Sequence, residues 1–115
     1  MNSKNGDNIS IQDFKKLNIA VGTIIEAFQN TKAKKAAYIL KIDFGKKIGI
    51  KSTSAQITNY SMDELIGRQI VGVVNFPPKQ IGPIMSECLV LGAVSGKDVR
   101  LLHPDVKVEN GLQIS

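Results

Sequence analysis

The sequence predicts a small all-β fold, a five-stranded barrel carrying one or two short helices. Five segments between residues 19 and 102 are rich in β-branched and apolar residues or alternate apolar with polar, which is the period of a strand. Only residues 61–67 have a marked helix signature among those segments, and they are short. A parallel sheet needs a long crossover helix between successive strands, and none is available, so the strands must pair mainly with antiparallel neighbours and close on themselves.

Residues 1–12 are polar and start without periodicity, and we expect a flexible N-terminal tail. Near its end Ser10 can cap the amide of Asp13 and start a single helical turn towards Phe14 and Leu17. The stretch IAVGTIIEAFQ, residues 19–29, is a strand whose internal Gly22 predicts a bend or bulge. In residues 37–44, AYILKIDF, Tyr38, Leu40, Ile42 and Phe44 share one face while Ala37, Ile39, Lys41 and Asp43 share the other. After GKK comes IGIKST, with Ile48 and Ile50 on one face and Lys47, Gly49 and Lys51 on the other, so the pair reads as a hairpin with a basic outer face. In SMDELIG, Ser61 can cap the amide of Glu64 while Glu64 reaches back, and Gly67 can end the helix.

Beyond it lie RQIVGVVNF and ECLVLGAV, two strands of buried type joined by a Pro- and Gly-containing connection, then the short strand DVRLL. Pro77 and Pro78 cannot donate ladder hydrogen bonds, so they stop the first of these strands and hold Asn75 and Lys79 on either side of a stiff corner. This order of elements fits an OB-fold barrel best, although an SH3-like barrel and a small sandwich have the same periodicities.

Charge is concentrated. Residues 32–51 hold seven lysines (Lys32, Lys34, Lys35, Lys41, Lys46, Lys47 and Lys51) against Asp43 alone, whereas the flanking segments are close to neutral. Such a cluster favours a polyanion, with RNA the commonest candidate, or else is a solvated lysine-rich hairpin. No apolar run approaches the ~20 residues that span a bilayer, and the start carries no signal-peptide core, so we expect a soluble cytoplasmic protein with no membrane insertion. The chain begins at Met1 with its own tail, from which a stand-alone protein is expected.

The motifs of catalysis are missing. There is no Ser/His/Asp spacing, no GxxxxGK phosphate loop and no paired histidine ligands. Cys88 cannot form an internal disulfide and reads as a buried small apolar residue, while His103, before Pro104, reads as a strand-end residue. We therefore expect no enzyme, no cofactor and no metal site. Aromatic platforms for stacking bases are few, with Tyr38 and Phe76 the best candidates, so a ligand recognised through phosphates and shape fits better than one read base by base.

Three separated motifs, KIDFGKKIGIKSTSAQITNY (41–60), VVNFPPKQIG (73–82) and SECLVLG (86–92), resemble in order and spacing the CsaA-type branch of the tRNA-binding domain family. The resemblance covers residues 13–115. It implies an OB-fold, a homodimer and non-catalytic binding of structured tRNA, and for this branch also an export-related chaperone activity on unfolded or presecretory polypeptides. Carried over by position, Asn75 corresponds to the Asn of the family's N-(F/L)-x-P motif, Lys79 to a basic position after it, Ser86 and Glu87 to its Ser-Glu step, and Ser54 and Gln56 to the S-A-Q-I signature. The chain departs from the family at Met85, where a basic residue is common, at Ile39 in place of a lysine and at Lys34 in place of an arginine.

The expected RNA-binding face therefore comprises Lys34, Lys35, Lys41, Lys51 and Lys79 for phosphates, with Ser54, Gln56, Asn75, Ser86 and Glu87 fixing orientation. A polypeptide-binding pocket, apolar with a basic rim, is the alternative expectation.

Overall fold

A computed structural model of the chain describes residues 7–115. The barrel is built around β1 (Ile19–Gln29), whose two halves have different partners. The first half pairs antiparallel with β4 (Gln69–Val73), from Ile19↔Val73 to Thr23↔Gln69, and the second with β2 (Tyr38–Asp43), from Thr23↔Asp43 to Gln29↔Tyr38. With β3 (Ile50–Ala55) and β7 (Leu89–Val90) the sheet runs β3-β2-β1-β4-β7, a nearly closed antiparallel barrel of the OB-like, all-β kind. The β-bulge of β1 lies between Ile24 and Glu26 and not at Gly22. Gly22 is needed for space instead, since a Cβ there would fall 2.7 Å from Ile42 Cγ2 and from Phe44 Cδ1.

The Phe44 ring fills the barrel interior. It is fully buried together with Ile24, Leu40, Ile42, Leu65 and Ile70, and it also lies against Gly72, where a Cβ would fall 3.1 Å from its Cζ. Burial of one such side chain contributes about 1.5–3 kcal/mol. A second, smaller cluster on the outside of the sheet joins Ile19, Val71 and Val73 to Phe14, carried by helix α1 (Ile11–Lys15). Ser10 caps α1 as its sequence requires, accepting from the Asp13 amide at 3.1 Å. The expected tail at 1–12 thus includes Ile11 and Gln12 of this helix, while residues 1–6 lie outside the described residues.

Two further helical turns complete the set of three. The turn α3 (Met62–Leu65) has both hydrogen bonds of the Ser61/Glu64 capping box. The turn α2 (Gly45–Ile48) replaces the expected loop between β2 and β3 and takes Ile48 out of the strand. It changes the faces of the hairpin. Lys41 pairs with Ser52, whereas Lys51 pairs with Ile42, so the two lysines project from opposite faces and the single basic outer face is not formed. Cross-strand partners share a face; periodicity gave the alternation within each strand but not the parity across the helical turn.

The connection after the prolines is more regular than its sequence suggests. There β5 (Lys79–Ile81) and β6 (Ile84–Ser86) form a hairpin around Gly82 and Pro83, with Gly82 at φ 61, the positive value that such a two-residue turn needs at its first position. The expected strand ECLVLGAV divides at Leu91, whose amide donates to Val71 O (2.9 Å) in the barrel while its carbonyl accepts from Leu102 N (3.1 Å). From there β8 (Gly92–Ser95) pairs with β9 (Asp98–Leu101) alone, and Val94, read as buried, is 73% exposed. Residues 111–114 lie along β1, through Gly111 N to Val21 O (2.7 Å) and Ile114 N to Ile19 O (2.8 Å). No helix among the described residues is long and apolar enough to cross a membrane.

Candidate nucleic-acid interface

The loop 30–37 leaving β1 carries Lys32, Lys34 and Lys35, all exposed. What holds it is Asn30, a polar residue only 5% exposed. Its amide donates to Ala37 O at 2.9 Å, closing the loop on itself. Its Nδ2 donates to Ser54 Oγ (3.1 Å) on β3 and reaches Ile81 O (3.5 Å) on β5, and its Oδ1 accepts from Lys32 N (3.3 Å). Gly82 packs against the same group, since a Cβ there would fall 3.2 Å from Asn30 Oδ1 and 3.4 Å from the Lys32 Cβ. A buried amide whose donor and acceptor are both used holds its surroundings in one arrangement. Asn30 thereby joins the basic loop, β3 and the β5–β6 hairpin. Sequence reasoning passed over it because an asparagine in a loop most often reads as a turn residue.

The expected site residues divide into three groups. Ser54, Ser86 and Lys79 are brought together, since Lys79 is registered with Ser86 and the Ser86 hydroxyl accepts from Ser54 N at 2.8 Å, and the loop that carries Lys34 and Lys35 is tied to Ser54 through Asn30. Lys41 stands on the adjoining outer face of β2, in a row with Glu26 and Ser52, so a carboxylate opposes it in register. Gln56 is exposed just beyond β3. Lys51 is on the other face, close enough to the Cys88 thiol to act on its ionisation.

Glu87 and Asn75 are engaged within the fold. Glu87 accepts from Ser52 N through Oε1 at 2.9 Å and donates its own amide to Ser52 O at 2.8 Å. With Ser86 and the Thr53 hydroxyl, which donates to Cys88 O at 2.8 Å, it closes the barrel along the free edge of β3. Asn75 clamps the exit of β4 to the segment after α1, donating to Lys16 O and accepting from Asn18 N, both at 2.8 Å. Tyr38 is not a stacking platform either, because it is buried and its hydroxyl donates to Tyr60 O at 2.8 Å. Phe76 remains 46% exposed, and Phe28, 41% exposed, stands on the outer face beside Ile39.

No lysine of this surface is held in a contact ion pair, for the one ion pair among the described residues is Lys16 with Asp13 at 3.3 Å. Cys88 is buried, and burial together with the neighbouring Glu87 carboxylate pushes its thiol up to about 12, which leaves it no nucleophile at neutral pH. His103 sits at the exposed end of the last strand with Nδ1 2.6 Å from Pro104 O. Among the described residues no group of three or more His, Cys, Asp or Glu side chains is placed to hold a metal ion.

Beside the basic loop runs a groove of about 920 Å³ between the end of β3 and strand β8. Its walls are largely apolar, with Ile57, Leu89, Leu91 and Val99 among them, and Lys35 and Lys97 are its charged members. The surface as a whole can therefore attract phosphates at one side and hold apolar groups at the other.

Residues 19–113 match the family model described as "Putative tRNA binding domain". The chain is 37% identical over 111 residues to the methionine–tRNA ligase of Nanoarchaeum equitans and 33% identical to that of Thermococcus onnurineus, covering 92% of this chain in each case. It spans only 13% and 14% of the length of those two enzymes. Among solved structures, the CsaA chaperone protein of Picrophilus torridus is 54% identical with a TM-score of 0.90, covering 94% of this chain and all of that one. The chaperone CsaA of Bacillus anthracis is 45% identical with a TM-score of 0.89, over 95% of this chain and all of that one. With its family motifs on one barrel and its likeness to CsaA extending over the whole of those chains, the protein belongs to the CsaA-type branch of the tRNA-binding domain family.

Proposed function

We propose that this protein binds structured tRNA without catalysis, through the face on which Asn30 joins the loop of Lys32, Lys34 and Lys35 to Ser54 and to the hairpin of Lys79. That junction is the observation that carries the reading. It ties two lysine-bearing segments to β3, and the β2–β3 face with its flanking loops is the side of an OB-fold barrel that takes up oligonucleotides. Lys41 adds to the field less than its position suggests, because Glu26 opposes it, and Lys51 contributes only at the rim. Gln56 and Ser54 orient the ligand, while Asn75, Ser86 and Glu87 act through the scaffold. Titration with tRNA at several salt concentrations tests the reading. Micromolar or tighter affinity that weakens steeply with salt supports it, and no binding at low salt overturns it.

The groove favours a second reading, the binding of unfolded or presecretory polypeptides in connection with export machinery in the cytoplasm. Its apolar walls suit side chains better than phosphates, and the similar proteins of Picrophilus torridus and Bacillus anthracis are named chaperones. Polypeptide binding that persists at moderate salt supports this reading. The proposal extends to a homodimer, since Ile11 and Ile50 are both more than half exposed, and a monomer in light scattering at micromolar concentration contradicts it.

A further inference from the structure

Two strand edges of this fold are capped by side chains. Along β3, the amides of Ser52 and Ser54 are taken by Glu87 and Ser86. Along the outer edge of β9, Val99 exchanges two hydrogen bonds with the Asn59 side chain, at 2.9 and 3.2 Å, and Leu101 N donates to the Tyr60 hydroxyl at 3.1 Å. The edge of β8 is open. Leu102 N bonds to Leu91 O, and in an antiparallel ladder hydrogen-bonded pairs alternate with unbonded ones. The pairs Gly92↔Leu101 and Val94↔Val99 are therefore of the second kind, consistent with Val99 and Leu101 bonding outward. Gly92 and Val94 turn their N–H and C=O groups away from β9, and these groups have no partner among the described residues.

Both residues line the groove. An open edge with unpaired N–H and C=O groups is a template for one more strand. The groove presents that edge beside apolar walls, Ile57, Leu89, Leu91 and Val99 among them. Its charged members, Lys35 and Lys97, are both cationic, and no Asp or Glu lines it. A second copy of this basic chain brings Lys97 with its own β8–β9 turn and meets like charge, whereas an apolar segment with acidic flanks complements both ends.

We propose that an extended polypeptide segment, apolar in the middle and acidic at its ends, adds as a strand to the free edge of β8 through Gly92 and Val94. This rests on the polypeptide-binding reading and specifies its mode. Main-chain hydrogen bonds supply affinity that tolerates many sequences, and the Leu89, Leu91 and Val99 surface selects for apolar side chains.

The test uses the whole protein and a blocked seven-residue peptide, Glu-Val-Thr-Val-Thr-Val-Glu, with a second version N-methylated at every amide. The first peptide is expected to bind and the methylated one to lose at least tenfold. In wild-type protein the amide signals of Gly92 and Val94 shift and become protected from exchange with the first peptide only. Val94→Pro removes a donor that β9 does not use, so the hairpin is kept and peptide binding falls at least tenfold, while Val94→Thr retains it. Should Val94→Pro not fold, the methylated peptide and the two amide signals decide on wild-type protein alone. If the methylated peptide or folded Val94→Pro binds as wild type does, strand addition is overturned. Reduced, carboxymethylated lactalbumin separates this from failure of the underlying reading: capture by wild type and Val94→Pro alike leaves polypeptide binding standing without strand pairing, and capture by neither removes both. A dimer that Val94→Pro converts to a monomer, with no peptide binding to wild type, identifies a second copy as the occupant and overturns the proposal.

Discussion

Ser52 and Glu87 exchange two hydrogen bonds, amide to carboxylate at 2.9 Å and amide to carbonyl at 2.8 Å, although only one of them lies in a strand. A side chain here replaces the strand that would close the barrel. Glu87→Ala leaves the Ser52 amide without its acceptor and is expected to cost about 1–3 kcal/mol, readable in urea or thermal unfolding. Glu87→Gln keeps a carbonyl acceptor in place and loses less. Equal stability of Glu87→Ala and wild type contradicts the closing role.

The lysines are expected to separate by location. Replacing Lys34 and Lys35 together with alanine weakens tRNA binding and makes the log–log salt slope shallower by about 2, near one unit per phosphate contact. Lys51→Ala, on the other face of the β2–β3 pair, leaves the slope nearly unchanged. Glu26→Gln strengthens binding modestly by releasing Lys41 from its opposing charge. The same titration series reads all three.

Asn30→Ala is expected to reduce tRNA affinity roughly threefold to tenfold, the equivalent of about one net hydrogen bond. Because Asn30 acts through the lysines that it positions, the loss shrinks when Lys34 and Lys35 are already alanine, which a double-mutant cycle measures. A full, additive loss in that background indicates that Asn30 contacts the RNA itself.

Cys88 is expected to resist thiol reagents at pH 8 until the protein is unfolded by denaturant, since its thiol is buried and titrates only near 12. The sign of the linkage follows from a raised value in the folded state. Its stabilising contribution is complete below 9.0, the ordinary value, and is lost as pH rises towards about 12, at up to about 1.4 kcal/mol per pH unit in that window. Unfolding midpoints of wild type and Cys88→Ala measured at pH 8 and pH 10.5 should therefore draw closer at the higher pH.

Local patterns in the sequence carried most of the barrel. The alternation of Tyr38, Leu40, Ile42 and Phe44 gave the core face of β2, and both caps, at Ser10 and Ser61, formed as written. What periodicity could not give was parity across α2, because a single helical turn between two strands decides which lysine faces outward, and its sequence, GKKI, also suits a loop. Nor could it give the division at Leu91, which arises from the amide and the carbonyl of one residue bonding to different sheets. For the candidate site, charge clustering and resemblance pointed to the lysine loop and to Ser54, Ser86 and Lys79. The contact that joins them passes through Asn30 and spans 51 positions to Ile81, a separation at which single-sequence patterns are silent.

The Phe44 ring lies where side chains at Gly22 and Gly72 would otherwise project, so three positions share one volume. Substitution at any of them is conditional on the other two: Gly22→Ala alone forces the ring to move, while Phe44→Leu alone leaves a hollow. Phe44→Leu and Gly72→Ala made together can offset one another, whereas at Gly22 Ile42 Cγ2 must give way as well, so in divergent relatives these positions should change as a set with Ile42, a better marker of a shared barrel interior than the identity of any one residue.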